Sequence, residues 1–356
     1  MSLRITLVAI VATLAARGAA AQTPERFVVA GDDVAVYNLV GQLKVEGGTG
    51  TAVVVEVTRH GADAAQLKIA TGEIRARQTL RVIYDADEIT YALMGRGSNS
   101  TEHVRDDGTF NDNHRGHWLS RGREVRISGA RGGLDAYADL RVVVPAGKTV
   151  AVYLAVGKAT VTNVEGNLDV NVSSADVDAS HTRGRLSLDT GSGNVSVTDV
   201  AGEIKLDTGS GDVTVTGVTG TGLNLDTGSG NVTCQRVSVD DLKVDTGSGD
   251  VELTAVKAKN VGLDTGSGDV TLEMLSDLDL LDVDTGSGGV TITVPADFGA
   301  QLDIETGSGG IDLTGLTIQA RKIEEDHIVG QVGDGRGRVK IETGSGGVRL
   351  RRATSD

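Results

Sequence analysis

The chain has 356 residues, with 34 Lys and Arg against 49 Asp and Glu and a net charge of −15. That balance argues against nucleic acid and anionic membrane surfaces as partners. Its 50 glycines, 3% aromatic residues and single cysteine favour small stacked side chains and exclude an intramolecular disulfide framework.

Residues 1–21 read as an export signal. Arg4 gives a positive start, residues 5–16 an apolar core, and Ala19-Ala20-Ala21 a small-residue cleavage site before Gln22. The core is too short to span a bilayer, and no later apolar run is long enough for a transmembrane helix. Removing the signal takes away Arg4 and Arg17 and leaves a mature charge near −17. The expectation is an exported protein, periplasmic or outside the cell.

Residues 22–145 read as a β-rich N-terminal region. Phe27-Val-Val-Ala, Val34-Ala-Val-Tyr37, Leu43-Lys-Val45 and Val53-Val-Val-Glu-Val57 are strand-like and broken at Gly31, Gly41 and Gly47-Gly48. Such irregular strands predict a sandwich-like or imperfect-coil lead-in that caps the first open edge of the following structure. Residues 96–134 read as a polar insertion, a long loop with Val125-Arg-Ile127 as a short edge strand. Inside it, His114-x-x-His117 has a spacing open to a transition metal, although no helix signal orients the two rings. His60, His181 and His327 read as isolated surface residues. Leu140-Arg-Val-Val-Val144, closed by Pro145, returns to strand.

From residue 146 to 350 the chain repeats itself. Asp-Thr-Gly-Ser-Gly begins at Asp189, Asp207, Asp226, Asp245, Asp264 and Asp284, and Glu replaces Asp at Glu305 and Glu342. Successive steps are 18, 19, 19, 19, 20, 21 and then 37 residues. Apolar residues alternate on both sides of the motif, as at Ile204/Leu206 before it and Val213/Val215 after it. A third apolar position follows at Val200, Val218, Val237 and Val256. The pattern predicts an all-β solenoid, a β-helix with coils of 18–21 residues and three short sides, capped by the N-terminal region. Cys234 falls on an inward position and reads as a small buried hydrophobe. Asn171 and Tyr153, at further steps of 18, mark two eroded coils at the front. The long last gap predicts a degenerate coil around residues 323–330, and residues 351–356 a frayed tail.

Asp-Thr-Gly-Ser after apolar residues also resembles the catalytic loop of aspartic proteases. That chemistry needs two such loops facing each other to share one proton, which neighbours in a stack cannot do. The structural reading is that Asp and Thr bond to nearby backbone while the glycines permit tight turns. Stacked about 4.8 Å apart, adjacent carboxylates would repel by about 0.9 kcal/mol in water-like surroundings and about 3.5 kcal/mol at an effective dielectric of 20. A second file, Asp212, Asp250 and Asp269 with Asn194 and Asn231, lies five residues on. Calcium held between the files is one reading, with Asp207, Asp212, Asp245, Asp250, Asp264 and Asp269 as candidate ligands. No catalytic residue and no other cofactor is implied.

Gly202-Glu-Ile-Lys-Leu-Asp-Thr-Gly-Ser-Gly-Asp-Val-Thr-Val215 resembles the repeating unit of the bacterial "putative adhesin" family of uncharacterised domains. The resemblance runs over roughly residues 34–350. It implies an exported or envelope-associated β-solenoid and carries over no catalytic residue. The expected function is that of a non-enzymatic structural or binding protein, whose rigid face of Thr, Ser, Asp and Lys meets another envelope protein or a glycan. Two alternatives stay open. One is a β-helical polysaccharide-active enzyme, with the insertion's histidines and carboxylates folded over the solenoid. The other is a calcium-stabilised envelope protein that self-associates through exposed end coils.

Overall fold

The computed structural model describes residues 23–112 and 122–353. The signal segment, His114 and His117 lie outside them. Regular structure among the described residues is strand, apart from single 3-10 turns at Ala64–Gln66 and Ala92–Met94. The chain is an all-β solenoid whose coils stack in parallel register. Asp189, Asp207, Asp226, Asp245, Asp264 and Asp284 are successive partners down one corner. Asn171 and Tyr153 precede them in the same column, so both eroded coils are present. The column extends one coil further, to Tyr37 in Asp33–Gly48, which stacks in register on Lys148–Thr162.

Several inward columns make the core, and two of them flank the motif. Leu188, Leu206, Leu225, Val244, Leu263 and Val283 form one; Val197, Val215, Cys234, Leu253, Leu272 and Ile292 form the other. Each such burial contributes roughly 1.5–3 kcal/mol relative to exposure, but only when a neighbouring coil covers it. Cys234 is fully enclosed, and burial pushes its thiol up to about 12.

Three bends close a coil. The Gly-Ser-Gly corner is one. At the second, Asn163, His181, Asp199, Arg236 and Ala255 take left-handed backbone, and at the third Gly166, Gly184, Gly202 and Gly220 have φ between 114° and 154°.

The C-terminal end departs from the expected order. The Asp284 coil is followed in space by the Glu342 coil, Gly337–Thr343 with Val348–Arg352, and only then by the Glu305 coil. No degenerate coil fills residues 323–330. Ile318–Ile323 and His327–Val332 instead form an antiparallel hairpin laid along Ala300–Thr306. Residues 351 and 352 belong to the inserted coil, paired with Thr293 and Val294, and are no frayed tail.

The N-terminal end is split in the same spirit. Arg77–Ile83 and Tyr137–Pro145 together underlie the two halves of Asp33–Gly48 in parallel register. Lys68–Ile74, Val53–His60 and Glu25–Val29 then close that end in antiparallel fashion. The N-terminal end of the parallel stack is thus covered; at the C-terminal end the hairpin covers Ala300–Thr306, while Ile311–Asp312 pairs only with the Val348–Arg352 strand. At the C-terminal end the free edge passes to Ile318–Ile323, which carries Arg321, Lys322 and a register shift, features that discourage edge-to-edge pairing.

Between the halves of the split coil the chain leaves the stack. This excursion begins earlier than residue 96: Glu88–Thr90, Gly122–Ser128 and Asn99–Arg105 form, in that order, a three-stranded sheet. Val125 and Ile127 lie on its central strand, not on an edge, and both are fully buried.

Candidate functional site

The repeated motif builds the corner of the solenoid. Its Thr points inward: Thr190, Thr208, Thr246, Thr265, Thr285 and Thr306 are each about 1% exposed. Thr246 Oγ1 donates to Gly230 O at 3.4 Å, Thr306 Oγ1 to Gly309 O at 2.6 Å and Thr343 Oγ1 to Gly288 O at 3.1 Å. Thr227 is the exception, with a buried hydroxyl that finds no partner. Both glycines are required by stacking. A Cβ at Gly247 would sit 2.5 Å from Gly228 O, and one at Gly249, where φ is +143°, would collide with Gly230 O.

The acidic residue of the motif points out, and with Glu342 and Glu305 it makes a ladder of eight carboxylates. Partial desolvation pushes the carboxyls of Asp226 and Asp264 above the usual range, and their stacked neighbours add to it. Asp189 is raised for the same reasons. Lysine answers on alternate coils: Lys205 lies 3.5 Å from Asp207 and Lys243 3.9 Å from Asp245.

The second file is a hydrogen-bond ladder. Asn194 accepts from Asp212 N at 3.0 Å, Asp212 from Asn231 N at 2.9 Å, Asn231 from Asp250 N at 3.0 Å, and Asp250 from Asp269 N at 2.9 Å. Asp269 continues it to Gly289 N at 2.7 Å. One oxygen of each side chain therefore satisfies the backbone of the next coil. The calcium candidates thus fall into two files with different partners: Asp212, Asp250 and Asp269 on backbone N–H groups, Asp207 and Asp245 beside lysines, Asp264 in the outer ladder. Among the described residues, no group of three or more His, Cys, Asp or Glu side chains is placed to hold a metal ion. The other histidines are less isolated than expected. His60 lies 3.1 Å from Asp139, His181 3.8 Å from Asp199, and His327 2.9 Å from Asp303.

A cluster that sequence reasoning missed sits where the insertion meets the first coils. Tyr37 and Tyr153 occupy the motif's acidic column, their rings stacked with centroids 4.4 Å apart, and Phe110 of the insertion packs edge-on against both. Asp112, 5% exposed, accepts from Tyr37 Oη at 3.1 Å and from Arg75 at 3.1 Å, and pairs with the equally buried Arg105. Glu102 is buried beside Asn111, whose amide donates to it at 3.2 Å; desolvation holds its carboxyl above the usual range. The only sequence signal was that two tyrosines replace the column's acid.

Elsewhere the outward face of the first strand forms a shallow groove of about 500 Å³. Lys205 and Lys243 stand over it, with Gly222 and Gly262 as low points and Asn224 between.

One family model matches the repeats. It is Toastrack DUF4097, over residues 182–351. The Toastrack match begins near the first complete motif and leaves out the coils whose column carries Asn171, Tyr153 and Tyr37. It supports an uncharacterised repeat family and does not itself carry the adhesin label. Among solved structures, a "putative cell adhesion protein" from Clostridium sporogenes aligns at 11% identity over 93% of this chain and 100% of its own, with a TM-score of 0.22. That score is too low to argue from. No curated protein matches. Among the described residues, no helix is long and apolar enough to cross a membrane.

Proposed function

We propose that this is an exported, non-enzymatic binding protein of the cell envelope, whose repeat face holds another envelope protein or a glycan. The observation that supports it is the coil-to-coil register of the outward column that runs from Lys205 through Asn224 and Lys243 to Gly262. Small polar side chains, with Lys205 and Lys243 at every second coil, recur along a rigid stack. Such a face supplies area and repeated weak contacts. The export signal in residues 1–21 supports the location. The buried Asp112 and Arg105 are spent on each other, which favours a structural role for them.

The polysaccharide-active alternative has one observation in its favour: the insertion does fold over the solenoid and buries Glu102 and Asp112 there. The test uses the signal-free chain, sedimented with isolated envelopes and, separately, with protein-stripped cell-wall glycan. Saturable retention on either, with no release of soluble sugar, is the expected result. Release of reducing ends would overturn the non-enzymatic reading, and no retention on either would overturn the binding reading.

A further inference from the structure

The order of the last three coils follows charge rather than sequence. All three carry Thr-Gly-Ser-Gly-Gly, so the motif itself cannot choose between orders. Had the Glu305 coil docked directly on the Asp284 coil, Asp303 would lie on Asp282, whereas the motif acids stack on one another in either order. Instead Lys340 separates Asp282 from Asp303, and Arg349 separates Thr291 from Asp312. Lys340 reaches Glu342 at 2.9 Å and Arg349 reaches Asp312 at 3.2 Å. The inserted coil also carries Arg338, Arg351 and Arg352, so a cationic coil fills a slot whose two walls are acidic. Opposite charges on adjacent strands favour this pairing, and like charges directly opposed disfavour the sequential one.

The slot is reached by a short reversal. His327–Val332 lies on the outer side of Ala300–Thr306 and Gly337–Thr343 on its inner side. Residues 333–336 must therefore cross the start of that strand. Gly333 and Gly335 take φ of 60° and 70°, and Asp334 and Arg336 pair with each other in the exposed bend at 2.8 Å. Short reversing links of this kind invite exchange of the segment that follows.

We propose that coil 337–352 is exchangeable, and that the slot between the Asp284 and Glu305 coils accepts the same coil from a second copy of this chain, giving a coil-swapped dimer. Every ladder contact in the slot is identical whether the coil arrives from its own chain or from another; only the link differs. Association on this proposal runs through the slot rather than end to end.

Asp282 and Lys340 are directly paired neighbours, at the Cα spacing a disulfide spans. One tagged chain carries Asp282→Cys and a second, differently tagged, carries Lys340→Cys; the native Cys234 is fully buried. Co-incubated at high protein concentration and then oxidised, they should give a mixed covalent dimer, whose fraction falls about tenfold on tenfold dilution before oxidation, by mass action. The doubly substituted chain is the control and should close the bond within one molecule. Closure in the control with no mixed dimer at any concentration would overturn the exchange. Should that control fail, Thr291→Cys with Arg349→Cys repeats the experiment at a second paired position. Failure of both controls would overturn the coil order on which the proposal rests.

Discussion

Within one repeat, each motif residue answers to a different constraint. Thr faces the core and must spend its hydroxyl on the turn, whereas the acid faces water and must tolerate its neighbours. Replacing Thr306 by Val removes a well-made buried hydrogen bond and should cost about 1 kcal/mol. The same change at Thr227, whose hydroxyl has no partner, should be neutral or stabilising. Urea midpoints of the two variants check the contrast, and equal losses would mean the column is not differentiated as described.

The acids give a pH dependence. Asp189, Asp226 and Asp264 have folded carboxyls raised above their unfolded value. Their contribution to stability is therefore fully present below the unfolded value and is lost as pH rises through the folded one. Asp226→Asn should accordingly stabilise the chain at pH 7 and make no difference near pH 3. Unfolding midpoints at the two pH values measure this, and a destabilised variant at pH 7 would contradict the repulsion account.

Strands and coils were legible to the extent that they repeat. Period-two alternation around each motif placed the inward columns, and steps of 18 located the coils at Asn171 and Tyr153 before any motif residue survived there. The C-terminal order was not legible, because Asp284, Glu305 and Glu342 head nearly identical coils and the deciding charges act across coils whose adjacency is unknown in advance. The insertion was hidden for a related reason. Asn99–Arg105 is too polar to read as a strand until its Glu102 and Arg105 are seen facing partners 9 and 7 residues away, at Asn111 and Asp112. Removing Asp112 should therefore test the docking of that whole element. Asp112→Ala leaves the buried Arg105 with Thr109 Oγ1 as its remaining hydrogen-bond partner, and loss of the buried ion pair should cost about 3 kcal/mol. Hydrogen exchange should show the loss concentrated in residues 99–112 and the stacked tyrosines, with the Asp207 to Asp284 coils still protected. Uniform loss of protection would mean that insertion and solenoid unfold as one unit.

The molecule as a whole is a stack in which each coil buries its neighbour, with antiparallel strands at both ends and a three-stranded sheet docked at the side. The repeats lay out the same short side chains again and again beside Lys205 and Lys243. Where the Toastrack match runs, the face is most regular, and that face is where binding belongs on this account. The decisive measurement is retention of the signal-free chain on isolated envelopes or cell-wall glycan, compared with the same chain carrying Lys205→Glu and Lys243→Glu. The account predicts saturable retention that the double variant loses by tenfold or more while it stays folded, its unfolding midpoint lowered by the repulsion added beside Asp207 and Asp245. Undiminished retention of a folded double variant would contradict the assignment of binding to the repeat face.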